Sequence, residues 1–201
     1  MRLRRKLFGE CLMSAPIQTP GDREQHTVVT SRDVVALRVP TGEQITIPEG
    51  SFVNLRQALG GTFTVTYQGN MVRIDGTDAD AIAQQPLELD FEPPEADGQV
   101  RQADLDRVLG TIFDPEIPVS ILELGLVYGC DVIRRDGKNI VQVRMTLTAP
   151  TCGMGPVLVG EVEYRLRRVP NVDAVEVALV FDPPWSRDMI SEVAQLELGL
   201  F

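Results

Sequence analysis

Apolar and polar positions change period partway along the chain. In Thr62-Phe63-Thr64-Val65-Thr66-Tyr67 they alternate, which predicts a strand with Phe63, Val65 and Tyr67 on one face. Similar short, β-branched runs are DVVALRV (33–39), EQITI (43–47), SFVNLRQAL (51–59) and MVRI (71–74). Breaks fall at Pro40-Thr41-Gly42, Pro48-Glu49-Gly50, Gly60-Gly61 and Gln68-Gly69-Asn70, where proline and glycine favour turns. This spacing predicts a small all-β domain over residues 33–91, a barrel or sandwich, with a short helix in TDADAIAQQ (77–85). Residues 1–32 read as a flexible, polar arm, and Met13 offers an alternative translation start.

After EPPEADG (92–98), a proline- and acid-rich linker, the period becomes helical. Leu105, Val108, Leu109 and Ile112 form one apolar stripe. LVYGCDVIRR (126–135) and NIVQVRMTLT (139–148) predict two strands joined by a hairpin turn at Asp136-Gly137-Lys138. Leu158, Val162, Leu166 and Val169 form a second helical stripe, and Arg165, Arg167 and Arg168 complement the negative end of that helix. AVEVALVF (174–181) predicts a strand and SRDMISEVAQLEL (186–198) a last helix, with Ser186 as its N-cap. Residues 99–201 thus read as an α-β-β-α-β-α domain, and the fold class of the whole as α+β.

Composition narrows the classes. The 201 residues are 43% hydrophobic and 24% charged, ordinary for a folded protein. A net charge of −10 repels phosphate backbones, so no nucleic-acid partner is expected. No apolar run reaches the ~20 residues a membrane span needs, and MRLRRKLFGECLMSAP lacks the apolar stretch of a signal peptide, so a cytoplasmic location is expected. Cys11, Cys130 and Cys152 are too few and too far apart for a disulfide framework. The single His26 lies in the arm, which argues against a Ser-His-Asp or Cys-His catalytic group, and no catalytic residue is assigned. GCDVIRRDGKN does not fit the P-loop pattern, so no nucleotide is expected.

The remaining chemistry gathers at LTAPTCGMGP. Cys152 stands between a strand and a helix that must begin between Gly153 and Pro156, because proline suits the first helical turn. Free amides and the positive end of the helix dipole favour a thiolate there, and Gly153 and Gly155 leave room for a ligand. Two readings of Cys152 stay open: a small buried hydrophobe, or a reactive or metal-binding thiol. Asp114 and Glu116 in FDPEIP are either solvated acids of a helix-ending turn or a carboxylate held near Cys152. Trp185, behind Pro183-Pro184, is a core plug or a docking aromatic. Cys130 reads as packing, and Cys11 receives no role.

DPEIPVSILELGLVY, MTLTAPTCGMGP and DPPWSRDMIS occur in that order. Over about residues 99–199 the chain resembles the metal–sulfur cluster biosynthesis domains of cytosolic iron–sulfur targeting factors and bacterial SufT proteins. VPTGEQITIPEGSFVNLRQALGGTFTV resembles the additional domain of SufT proteins. The resemblance implies a non-enzymatic maturation factor that aids delivery of iron–sulfur clusters to client apoproteins, with Cys152 as its thiol and Asp114 as the motif acid. Thr151, Gly153, Glu116 and Trp185 are the supporting loop residues. It implies a transient iron–sulfur cluster, assembly-machinery and client partners, and, if an ATPase takes part, a separate P-loop chain. A homodimer would supply a second thiol. The rival expectations are a pure adaptor with a structural cysteine, and a thiol enzyme or redox sensor.

Overall fold

β-Branched residues set the N-terminal architecture. The computed structural model describes residues 26–59, 61–93 and 98–200. Strands β1 (His26–Val29), β2 (Val34–Arg38), β3 (Gln44–Ile47), β4 (Phe52–Leu59), β5 (Thr62–Tyr67) and β6 (Asn70–Asp75) form one antiparallel sheet in the order β1-β4-β5-β6-β2-β3. Its end strands are β1 and β3, and no pairing between them closes a barrel among the described residues. Val34, Ala36, Ile47, Val53, Val65, Val72 and Ile74 bury one core, with Phe63 and Tyr67 packed at its margin. Gln68 and Gly69 both have positive φ, which suits the tight turn that pairs Tyr67 with Asn70.

The expected arm contributes a strand. β1 pairs with β4 from His26↔Leu55 to Val29↔Phe52. The β-branched Thr27-Val28-Val29 run suits a sheet edge, but it is short and lacks the alternation by which strands are read. The expected short helix is a 3-10 segment, Gly76–Ile82, opened by Asp75, whose carboxylate accepts from the Thr77 amide. Residues 1–25, with Cys11 and Met13, and linker residues 94–97 lie outside the described residues.

Helix α1 (Gln102–Gly110) is followed by β7 (Val127–Arg135), β8 (Lys138–Met145), α2 (Gly155–Leu166), β9 (Ala174–Leu179) and α3 (Glu192–Leu198). β7 and β8 are an antiparallel hairpin turned at Asp136-Gly137, both at positive φ. β8 and β9 run parallel, joined through α2. The stripes Leu105/Val108/Leu109/Ile112 and Leu158/Val162/Leu166/Val169 are all buried in a second core under this sheet. Each such side chain contributes about 1.5–3 kcal/mol by leaving water. The architecture is mixed α+β.

The last helix differs from expectation. Ile190 is extended and divides SRDMISEVAQLEL into a 3-10 turn, Arg187–Met189, and α3. Ser186 makes no side-chain cap bond; Ser191 caps α3 by accepting from the Ala194 amide.

The two sheets meet across α2, and here charge is buried. Arg165, read from the sequence as one of three arginines complementing the negative end of the helix, is fully buried. Its Nε lies 2.6 Å from Asp75 Oδ2, and its other nitrogens donate to the Gly61 and Thr111 carbonyls and to the hydroxyls of Thr62 and Thr111. Position 165 follows Leu158 by seven residues and Glu161 by four, so it returns to the inward side of the helix. One turn on, Arg168 and the Tyr164 hydroxyl both reach Asp78 Oδ2 at 2.6 Å.

Candidate functional site

Cys152 is placed by a chain of backbone bonds. β8 ends at Met145, and the Thr146 amide donates to the Leu126 carbonyl, which fixes the departing chain beside β7. The Cys152 amide then donates to the Ala149 carbonyl at 3.0 Å, and the Cys152 carbonyl accepts from the Gly155 amide at 3.1 Å. The sulfur-bearing residue therefore occupies a tight turn just before α2. It is half-buried against the C-terminal core, between exposed Thr151 and Gly153.

The opening of α2 leaves donors unused. Pro156 stands in the first turn, and no acidic side chain lies there to offset the positive end of the dipole. Among the described residues, the Gly153 and Met154 amides donate no hydrogen bond to a backbone carbonyl. The two glycines have different uses. A Cβ at Gly153 would meet nothing within 4 Å, so the space beside Cys152 is open. A Cβ at Gly155 would lie 2.6 Å from Leu147 Cδ1, so Gly155 serves close packing rather than ligand access.

Asp114 shapes the acidic loop. It is buried, and its Oδ1 accepts from the amides of Glu116 at 2.8 Å and Ile117 at 2.9 Å, while its own amide donates to the Val119 carbonyl. Such an Asx-type turn holds Pro115 and exposed Glu116 in place. Pro115 and Met154 line one pocket of about 140 Å³ together with Gln57, Thr64, Met71 and Arg73 of the N-terminal sheet. The Asp114 loop and the Cys152 turn thus share a pocket wall, and the N-terminal sheet supplies the opposite side.

Trp185 is placed elsewhere. Its indole N–H donates to the Leu124 carbonyl at 2.7 Å, and its ring packs on the C-terminal core. The Tyr128 hydroxyl donates to the Pro183 carbonyl at 2.9 Å, pinning the same proline-rich segment. The structure gives Trp185 an anchoring position and does not bring it into the pocket of Pro115 and Met154.

Cys130 sits on β7 opposite Val143. Burial, and then the carboxylates of Asp106 and Asp131, push its thiol up to about 11, against an opposing hydrogen bond with Gln102. It stays protonated at neutral pH, which makes it a poor nucleophile. Among the described residues, no group of three or more His, Cys, Asp or Glu side chains is placed to hold a metal ion. A cluster bound through Cys152 would need ligands from outside this set.

Sequence reasoning missed the residues of the N-terminal sheet that face the Cys152 turn. A Cβ at Gly42 would lie 2.4 Å from the Pro156 carbonyl oxygen, so the turn between β2 and β3 presses directly on the first turn of α2. Gly42 has φ +71, and its place after Pro40-Thr41 marks a turn, but nothing in that local signal indicates a contact more than 100 residues away.

The model of the iron-sulfur cluster assembly protein family matches residues 102–179. The chain is 45% identical over 98 residues to an Fe-S protein maturation auxiliary factor of Porphyromonas gingivalis, covering 49% of this chain and 90% of that protein. It is 39% identical over 89 residues to the Fe-S protein maturation auxiliary factor SufT of Staphylococcus aureus, covering 44% of this chain and 98% of that protein. A crystal structure of a DUF59 domain from Bacillus anthracis is 37% identical, with a TM-score of 0.44, covering 50% of this chain and 92% of that one. The family match and the spans shared with the two maturation auxiliary factors agree: the chain belongs to the iron-sulfur cluster assembly protein family and is a SufT-like member of it.

Proposed function

We propose that this chain is a non-enzymatic factor in iron–sulfur protein maturation, and that Cys152 holds or relays the cluster as cargo for client apoproteins. The observation that carries this reading is a half-exposed thiol at the mouth of α2, beside open space at Gly153 and two amides without backbone acceptors. The relatives' role as maturation auxiliary factors supports it. Transfer is a ligand exchange. A client thiolate forms a bond to iron, the Cys152–iron bond breaks, and the proton lost by the client thiol is taken up at Cys152, with no change in oxidation state.

Cys152 alone is too few for a cluster that needs several thiolates. In this reading the other ligands come from a second copy of the chain or from the client. Assembly machinery, clients and a separate P-loop ATPase are the partners, and the cytoplasm is the compartment. No helix among the described residues is long and apolar enough to cross a membrane.

Anaerobic reconstitution with iron and sulfide tests ligation. Wild type, Cys130→Ser and Cys11→Ser are expected to take up iron and sulfide and to show visible cluster absorption. Cys152→Ser is expected to lose most of both while keeping the wild-type far-ultraviolet circular dichroism. Equal iron and sulfide in Cys152→Ser and wild type would reject ligation and leave the adaptor reading.

A further inference from the structure

The seam between α2 and the N-terminal sheet contains a carboxylate that the protein does not satisfy. Glu161 on α2 is 2% exposed and Arg73 on β6 is 6% exposed. Arg73 Nε lies 2.9 Å from Glu161 Oε1, yet this contact lacks the alignment of a hydrogen bond. Neither Glu161 oxygen accepts a hydrogen bond from any described residue.

Beside the carboxylate is a small, partly open space of about 10 Å³, room for one water at most. Arg73, Asp75, Glu161 and Tyr164 line it, with Val35, Ala36 and Leu37 of β2 as its apolar wall. The neighbouring groups are engaged elsewhere: Asp75 with Arg165, and the Tyr164 hydroxyl with Asp78. The charged and titratable groups facing Glu161 are therefore Arg73 and Asp75 from β6, and Tyr164 and Arg165 from α2. The β2 residues that line this space, Val35, Ala36 and Leu37, are all apolar. Burial, with Asp75, raises the Glu161 carboxyl to about 7 against the pull of Arg73 and Arg165.

We propose that Glu161 is a proton-operated catch: protonated, it seats α2 on the N-terminal sheet; ionised, it loosens that seam and with it the Cys152 turn. The link to the turn is steric. Gly160 packs against Leu37, where a Cβ would meet Cδ1 at 3.0 Å, and Pro156 packs against Gly42. Opening at Glu161 lies between these contacts and the buried Arg165. The device does not depend on what Cys152 carries.

The sign follows from linkage. Opening lets the carboxyl return from about 7 toward its ordinary 4.5, so the open form holds fewer protons within that window. The closed seam is strongest at the acid end, weakens as pH rises from about 4.5 to 7, and changes little above.

Deuterium uptake into α2 and the β2–β3 turn, corrected for intrinsic exchange, tests this on the full chain at pH 5.5 and 7.5. The opening equilibrium is expected to rise roughly tenfold or more at the higher pH. The β7–β8 hairpin is expected to change far less, and Glu161→Gln to abolish the dependence. No pH dependence in wild type, or an unchanged one in Glu161→Gln, would overturn the proposal. If the variant fails to fold, a carbon-13 titration of Glu161 in the wild type decides: a midpoint near 7 supports the catch, and an ordinary glutamate midpoint overturns it.

Discussion

Arg165→Ala is expected to lower the free energy of unfolding by about 3–5 kcal/mol, measured by urea denaturation at pH 7. The guanidinium is fully buried and serves both sides of the molecule. It pairs with Asp75 and bonds Gly61 and Thr62 of the N-terminal sheet, and it bonds Thr111 after α1. Its removal leaves a buried carboxylate without its cation and strands two carbonyls, and the cost comes mainly from these unpaired groups. Arg165→Met combined with Asp75→Leu is therefore expected to recover only the part of the loss that comes from the unpaired carboxylate, since the Gly61 and Thr111 carbonyls and the Thr77 amide remain without these partners. A loss under 1 kcal/mol in Arg165→Ala would mean that the cluster does not join the two sheets.

The second large effect is expected at Gly42. Gly42→Val places a β-branched side chain at φ +71 and directs its Cβ to within 2.4 Å of the Pro156 carbonyl oxygen. Gly50 is the internal control, with φ +76 but nothing within 4 Å of a Cβ. Both variants carry the backbone cost of about 1–3 kcal/mol. Only Gly42→Val must also displace the β2–β3 turn from α2, adding about 1–3 kcal/mol. Urea denaturation of the pair isolates the seam contact, and equal losses at the two positions would remove it. Thiol labelling of Cys152 is expected to quicken in Gly42→Val and to stay unchanged in Gly50→Val, because only the former releases the start of α2.

Local periodicity made much of the mixed α+β architecture legible. The stripes beginning at Leu105 and Leu158 are set by helical spacing alone, and both are buried as complete sets. Asp136-Gly137 announces its hairpin because two consecutive positive φ values suit that dipeptide. Elements that depend on partners far along the chain were not legible. β1 is a strand because β4 offers it an edge, and its own four residues carry no alternation. Arg165 reads only as a cation at a helix end until Asp75, 90 residues away, is brought to it.

The candidate site was legible in the same uneven way. The helix start behind Cys152 follows from Pro156, and an aspartate beside a proline suggests the turn at Asp114. That Pro115 and Met154 line one pocket opposite Met71 and Arg73 is a product of tertiary packing. Gly155 looked like room for a ligand, but the methyl of Leu147 occupies that room. Glu161 is an unremarkable polar position in its helix until a sheet covers it.

Anaerobic transfer of a reconstituted cluster to an apoferredoxin, followed by visible circular dichroism, addresses the role of Cys152 most directly. Wild type and Cys130→Ser are expected to build up the ferredoxin signal, while Cys152→Ser, given the same iron and sulfide, yields no more than the protein-free control. Transfer by Cys152→Ser at the wild-type rate would contradict a role for this thiol in handing over the cluster.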